Sequence, residues 1–489
     1  MSPFLILGIF LLYTALLFTV TWITSRKADS QSFFIGNRKS PWFVVAYGMI
    51  GASLSGVTFM SVPGWVSETQ FSYMVVVFGY LVGYAVIALI LLPLYYRLKL
   101  TSIYSYLEER FGFWSYKTGA GFFILSRTLG ASLRMFLVIN VLQIFVFDAW
   151  HIPFWVNALI FIVLIILYTF KGGIRTIVWT DTLQTTFMLL AVVLSIFYIS
   201  KGLGVPLSDL FREAHESRIT RMFITDWHHE RFFLKQFFSG MFITITMTGL
   251  DQEMMQKNLS CRNLREAQKN MFTFSGILVF VNLMFLFLGA FLFLFSRSKG
   301  ITVGATDDLF PVIALEHMGP VAGLVFLIGL ISAAFPSADG ALTSLTTSIS
   351  IDFLGLDKKK GLTEKKATKT RYGVHLSIAL VFFISILIFS TLNDEAIIDK
   401  LFTIAGYTYG PLLGLYTFGL FTKRAVKDRV TPYIAILSPT ICFILSKYSV
   451  QLFNGYRFGF ELILLNGFLM FMGLWAFSRK QEAEKALRL

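Results

Sequence analysis

Long apolar stretches separated by short polar connectors run along nearly the whole chain. Each holds roughly 17–25 mainly apolar residues, enough to cross about 30 Å of hydrocarbon as a helix. The pattern predicts about thirteen transmembrane helices, near residues 3–24, 42–64, 72–95, 115–148, 153–170, 176–200, 232–256, 269–296, 321–353, 373–392, 398–422, 431–449 and 458–478. No soluble domain is visible, so residues 1–489 read as one membrane domain. The longest connector, 201–231, is expected to be an outer loop with a short amphipathic helix. Its adjacent His228 and His229 would point to different faces of a helix, so they read as a solvated pair.

Two spans break the apolar pattern. The second carries Gly48, Gly51, Ser53, Ser55, Gly56, Thr58, Ser61, Pro63 and Gly64. Small, polar and helix-breaking residues at this density weaken a continuous helix. Five spans later Ser239, Gly240, Thr244, Thr246, Thr248 and Gly249 repeat the theme. Interrupted helices in corresponding places of two halves point to an inverted-repeat transporter with its site near the midplane. The competing explanation is close helix packing through small residues.

Composition agrees with a membrane chain: 56% of residues are hydrophobic and 14% charged. The formal charge of +14 needs no nucleic-acid partner. Basic residues gather in connectors expected on one side, at Arg26, Lys27, Arg38 and Lys39, at Lys358, Lys359, Lys360, Lys365, Lys366, Lys369 and Arg371, at Lys423, Arg424, Lys427 and Arg429, and in the tail at Arg479, Lys480, Lys485 and Arg488. By the positive-inside rule that side is the cytoplasm, which places the C-terminus inside and the N-terminus outside a plasma membrane, the inner membrane of a bacterium. The first span lacks the flanks of a signal peptide and is expected to persist as a helix. Cys261 and Cys442 are expected in a loop and a helix and to remain unbridged.

Ionisable residues inside apolar spans are costly and mark candidate sites. Asp181, Asp339, Arg127 and Arg134 are the four that stand out. Asp339 lies mid-helix among Ser332, Ser337, Thr343, Ser344, Thr346, Thr347 and Ser348, and calls for a cation, a proton or an arginine. Hydroxyls and freed carbonyls are the hard oxygen ligands a small cation prefers. Pro336, having no N–H, removes the helical partner of the Ser332 carbonyl. Arg127 and Arg134, two turns apart on one helix, lie near the same face. They could neutralise the aspartates or receive an anionic group of a solute.

No phosphate-binding GxxxxGK[ST] loop, HExxH helix or CxxC pair is present, so an ATP-driven pump or a metallohydrolase lacks its usual hardware, and no enzymatic activity is expected. Energy from an ion gradient remains, at about 2.3 kcal/mol per charge per 100 mV.

The motifs GASLSGVTFMSVPG, TSIYSYLEERFG, KGGIRTIVWTDTLQ, DQEMMQKNLSCRN, the serine-rich helix ending at Asp352, and GPLLGLYTFGLF occur in this order. Together they resemble the sodium:solute symporter family over residues 3–480. The resemblance implies an all-α polytopic protein with a leucine-transporter-type 5+5 inverted repeat: an extra N-terminal helix at 3–24, five-helix repeats at 42–200 and 232–422, and two C-terminal helices at 431–478. It implies Na+ as coupling ion, bound by oxygens at Gly51, Leu54, Ala333 and Ser337. Pro336 stands where the family has a second hydroxyl. Some members hold a second sodium near the aspartate matching Asp181, using serines at the positions of Pro336, Asp339 and Gly340; none is kept here, and Asp339 could bind that ion or a proton. Family solute positions fall on Ser53, Ser55, Thr58, Val77, Tyr80, Asp251, Leu278 and Thr403.

Sugar-gripping residues are absent from Val77, Leu278 and Thr403, whereas LSGVTFMSVP looks like the sialic acid branch, in which an arginine of the fourth span meets the solute carboxylate. Arg127 or Arg134 is its counterpart. The expected function is sodium-coupled import of a small organic acid by alternating access, without an obligate protein partner. A proton-coupled symporter, a solute-binding membrane sensor and an ion channel are the alternatives.

Overall fold

In hydrocarbon every backbone N–H and C=O must find its partner within the protein, and this chain answers with helices. The structure is a computed structural model in which residues 3–25, 30–170, 173–359, 363–391 and 397–480 are described. Among them, seven helices are long and apolar enough to cross a membrane: Tyr73–Arg97, Phe113–Trp150, Ile174–Leu203, Leu264–Lys299, Pro320–Phe353, Glu364–Phe389 and Asp428–Lys447. An eighth is formed if Trp42–Ser53 and Gly56–Thr69, bent by 57°, count as one span. Shorter apolar helices, Phe10–Ser25, Phe154–Thr169 and Leu462–Ala476, cover other predicted stretches. The chain is thus an all-α polytopic membrane protein.

Both predicted interruptions are present. The first helix of the bent pair ends at Leu54, and Leu54 and Ser55 are extended before the chain turns helical again at Gly56. The second break follows Phe233–Thr244 and a wide turn at Ile245–Gly249; Leu250 and Asp251 leave helical geometry, and Gln252–Leu259 begins anew. Pro336, by contrast, lies inside an uninterrupted helix, Pro320–Ser348.

Burial sorts the helices. In Pro320–Phe353, 78% of the most apolar window is enclosed by protein, against 28% in Glu364–Phe389. Leu376, Leu380, Val381, Ile384 and Ile388 of the latter are exposed, as a face meeting lipid tails would be. The core is therefore the hydroxyl-bearing helix, packed on Ile174–Leu203, Phe113–Trp150 and the bent pair. Tyr73–Arg97 and Phe233–Thr244 approach through glycines: a methyl at Gly79 or Gly240 would strike the main chain of the opposite helix.

The connectors gather at two ends. At one, Ser40 pairs with Ser260 at 3.0 Å, and Lys358 reaches Glu108 at 2.5 Å, a bond that raises the lysine pKa above its ordinary value. Asp428 caps Phe113–Trp150 through the amides of Trp114 and Ser115, and Arg424–Val426 pairs antiparallel with Ser478–Lys480. This is the basic end; Arg26, Lys27, Lys360, Lys485 and Arg488 lie outside the described residues. At the other end the connector 201–231 contains the amphipathic helix Leu207–Glu216, with Leu210 and Ala214 buried. Phe71 bonds to Arg221 there, and Trp227 packs on Tyr456.

Prolines inside helices remove one hydrogen bond each. Pro411, in Ile397–Phe421, takes the donor from the carbonyl of Tyr407. Asn466 of Leu462–Ala476 replaces it, donating to the Gly406 and Tyr407 carbonyls at 2.9 Å each.

Candidate functional site

The break in the bent pair opens onto a cavity of about 80 Å³ between the helices. Ser53, Leu54, Ser55 and Thr58 of the break line it, facing Tyr80 and Tyr84, Arg127 and Arg134, Thr244 and Thr248, and Asn282. One wall is thus hydroxylic and another cationic. Phe402 closes the cavity toward the end that bears connector 201–231, and it also lines a second cleft beyond, of about 200 Å³. The closure is aromatic. Phe402 lies 4.7 Å from Phe460 and 6.4 Å from Tyr73 between ring centres, Trp65 completes the group, and the Arg231 guanidinium covers Trp65 at 4.9 Å.

The other side of the cavity is polar and charged. Arg127 is buried and engaged: Nη2 meets the Glu253 carboxylate, and Nη1 lies 3.7 Å from Asp251. Glu253 also approaches the Lys257 ammonium at 3.5 Å, and that ammonium donates to Asp181 Oδ2 at 2.7 Å. Tyr168 donates to Asp339 Oδ2 at 2.9 Å. The result is a buried chain, Arg127–Glu253–Lys257–Asp181, with Asp339 within Coulomb range of Lys257 and Asp181. Arg134 is also buried, lines the cavity, and pairs with no carboxylate among the described residues. A guanidinium kept from water with no carboxylate in contact, its nearest counter-charge being Asp251 already engaged by Arg127 and Tyr409, can receive an anion, and its planar fork suits a carboxylate. The two arginines, equivalent by spacing, therefore differ in their partners.

The positions predicted to hold a cation lie on three adjoining helices. Gly51 donates to Thr185 Oγ1 at 3.0 Å, which fixes the end of Trp42–Ser53 against Ile174–Leu203. Where that helix stops, its last carbonyls lose their ladder partners. The two breaks treat such carbonyls differently. At the second, Tyr95 donates to Gly249 and Tyr104 to Leu250, both at 2.9 Å. At the first, no tyrosine among the described residues donates to the carbonyls of Gly51 or Leu54. Ser337 is buried, with its hydroxyl directed to the Ala334 carbonyl at 3.0 Å. On its own helix, Pro320–Ser348, and on the adjoining Ile174–Leu203, Ser332 Oγ, Thr343 Oγ1, both amide atoms of Gln184, Asp181 Oδ1 and Asp339 Oδ1 are buried without a hydrogen-bond partner. Of these, the oxygens of Ser332, Thr343, Gln184 and Asp339 fit a dehydrated small cation, whereas Asp181 Oδ1 shares its carboxylate with the Lys257 ammonium.

Other predicted positions fall elsewhere. Asp251 does not line the cavity. It caps Gln252–Leu259, accepting from the amides of Glu253 and Met254, and receives the Tyr409 hydroxyl at 2.7 Å. Val77 is buried in helix packing away from the cavity lining, and Thr403 lines the outer cleft beside Glu230 and Arg231. Leu278 does line the cavity. Sequence reasoning missed Glu253 and Lys257 altogether, placing their motif after the seventh span. An acid–base pair four residues apart, just behind an Asp cap, was the available signal. His228 and His229 are in an exposed connector, and the described residues contain no group of three His, Cys, Asp or Glu suited to a metal.

Comparison with known proteins gives the setting. Residues 33–429 match the model of the sodium:solute symporter family. The sodium/sialic acid symporter SiaT of Proteus mirabilis is 24% identical over 456 residues, spanning 90% of this chain and 88% of its own. The sodium/sialic acid symporter NanT of Aliivibrio fischeri is 23% identical, with 95% and 92% covered. Among solved structures, the substrate-bound outward-open state of a Na+-coupled sialic acid symporter superposes with a TM-score of 0.79 at 20% identity, covering 97% of this chain and 99% of its own. That likeness concerns the fold.

Proposed function

Because this chain belongs to the sodium:solute symporter family, we propose that it imports a small organic acid whose carboxylate is received by Arg134. Sodium is the coupling ion, and the protein is a multi-pass membrane transporter rather than an enzyme. The observation that carries the solute class is the pairing pattern: Glu253 neutralises Arg127, while Arg134 faces the cavity without a carboxylate. Ser53, Ser55, Thr58 and Tyr80 then supply hydroxyls to the polar remainder of the solute. The sialic acid carried by SiaT and NanT is a carboxylate of this kind and supports the reading.

The coupling follows from the break. Sodium held by the carbonyls of Gly51, Leu54 and Ala333 and the Ser337 hydroxyl steadies the unwound segment that presents Ser53 and Ser55. Each ligand thereby favours the conformation the other needs. The apolar stretches are assigned as thirteen spans, with the repeats at 42–200 and 232–422 and the basic end in the cytoplasm. Phe402 and its neighbours then form the outer closure, and the charged chain lies on the cytoplasmic side.

The test is uptake into proteoliposomes, with and without an inward sodium gradient, over a panel of organic acids, amino acids and sugars. Sodium-driven uptake of carboxylates that is lost in Arg134→Ala supports the assignment. Uptake of neutral sugars, or carboxylate uptake indifferent to Arg134, overturns it.

A further inference from the structure

Asp181 and Asp339 are buried on two packed helices and lie within Coulomb range of each other, an arrangement that would attract a cation additional to the one assigned to Ser337 and the first break. The structure supplies a positive charge there from the chain itself. The Lys257 ammonium, buried, donates to Asp181 Oδ2 at 2.7 Å and lies 3.5 Å from Glu253 Oε1. Room for this is built into the opposite helix. Gly340 follows Asp339 directly, and a methyl group there would fall 2.3 Å from Glu253 Oε1. Glu253 thus occupies the space that a side chain on the hydroxyl-bearing helix would need, and it holds Lys257 from the second side. Gly48 plays the same part for Asp181, whose Cβ stands 3.1 Å from where a methyl would be.

The geometry points to Lys257 as a resident cation: its ammonium takes the place of a second coupling ion between Asp181 and Glu253, so that one sodium accompanies each solute. This rests on the symporter reading above. Asp181 Oδ1 still lacks a hydrogen-bond partner, but a sodium ion on that oxygen would stand about a carboxylate's width from the ammonium on its neighbour. In surroundings shielded from water, two like charges at that spacing repel strongly. An ammonium tethered to the chain is also not released at the end of a cycle, so it contributes charge balance without contributing driving force.

The experiment counts ions. In proteoliposomes holding the full chain, the ratio of radioactive sodium to solute taken up, and the solute reversal potential, are measured for the unmodified protein. A ratio of one is expected; a ratio of two overturns the inference while leaving symport intact. If sodium drives no uptake, the symporter reading itself fails. In Lys257→Gln the vacated carboxylates are open to sodium, and the ratio is expected to rise to two, with sodium raising the thermal stability of the detergent-purified variant more than that of the parent. A ratio still at one in this variant counts against the idea. Asp181→Asn is the companion variant if Lys257→Gln does not fold: the sodium count stays at one if the carboxylate holds lysine, and falls if it holds an ion.

Discussion

The cavity is closed by two unlike layers. Toward connector 201–231 stand rings, Trp65, Tyr73, Phe402 and Phe460, in contact through dispersion and tilted packing. Toward the basic end stands the chain of ion pairs Arg127–Glu253–Lys257–Asp181, with Asp251 fixed by Tyr409. Aromatic contact is tolerant of angle, and a ring can turn aside while keeping most of its neighbours. Buried ion pairs do not yield in that way. Separating one leaves charges without partners in a medium that does not solvate them. The rings are therefore suited to opening with each solute, and the ionic layer to staying shut until the whole core rearranges.

The sharpest test of this contrast lies in the ionic layer. Glu253→Gln removes the carboxylate shared by Arg127 and Lys257 and is expected to cost about 3–5 kcal/mol of stability, seen as a large fall in thermal midpoint of the purified protein. A shift of a degree or two would show that the layer holds little. Arg134→Ala, in the cavity between the layers, should leave the fold in place but weaken carboxylate uptake by about 2–5 kcal/mol, roughly 30-fold to 4,000-fold, measured as kcat/KM. Ser337→Ala, removing one of four assigned sodium oxygens, should raise the sodium concentration for half-maximal uptake by about tenfold, the equivalent of one charged hydrogen bond, with the solute KM rising alongside at low sodium. The smallest effect is predicted in the ring layer. Phe402→Leu keeps the apolar bulk and loses ring geometry, worth about 0.5–1.5 kcal/mol, hence about a two- to tenfold change in solute KM. An effect of Phe402→Leu exceeding that of Glu253→Gln would invert the comparison.

Much of the architecture was legible in the residues. Hydropathy located the helices because a membrane span has one dominant requirement, and the small, polar residues of GASLSGVTFMSVPG announced the break at Leu54 and Ser55. The site was legible only in part. Arg127 and Arg134 are indistinguishable by spacing, and what separates them is Glu253, over a hundred positions away and on the far side of the second break. Asp251 carries the residue type of a solute contact yet serves as a helix cap. Thr403 precludes a simple transfer of positions for another reason: it adjoins Phe402, the ring dividing the two cavities, and a single step along the helix carries it into the outer cleft. Pro336 stays within the continuous helix Pro320–Ser348, so the carbonyl it deprives of a partner belongs to an unbroken helix rather than to a third break.

The amide of Asn466 acts mechanically on its neighbour. Along most of a membrane helix, stiffness is a property of the helix alone, repeated at every turn. In Ile397–Phe421, the helix that also bears Phe402, the turn weakened by Pro411 borrows its stiffness from one side chain on a neighbour. The compliance of that rod is accordingly adjustable at a distance, by changing a single amide, without altering any surface that the cargo touches.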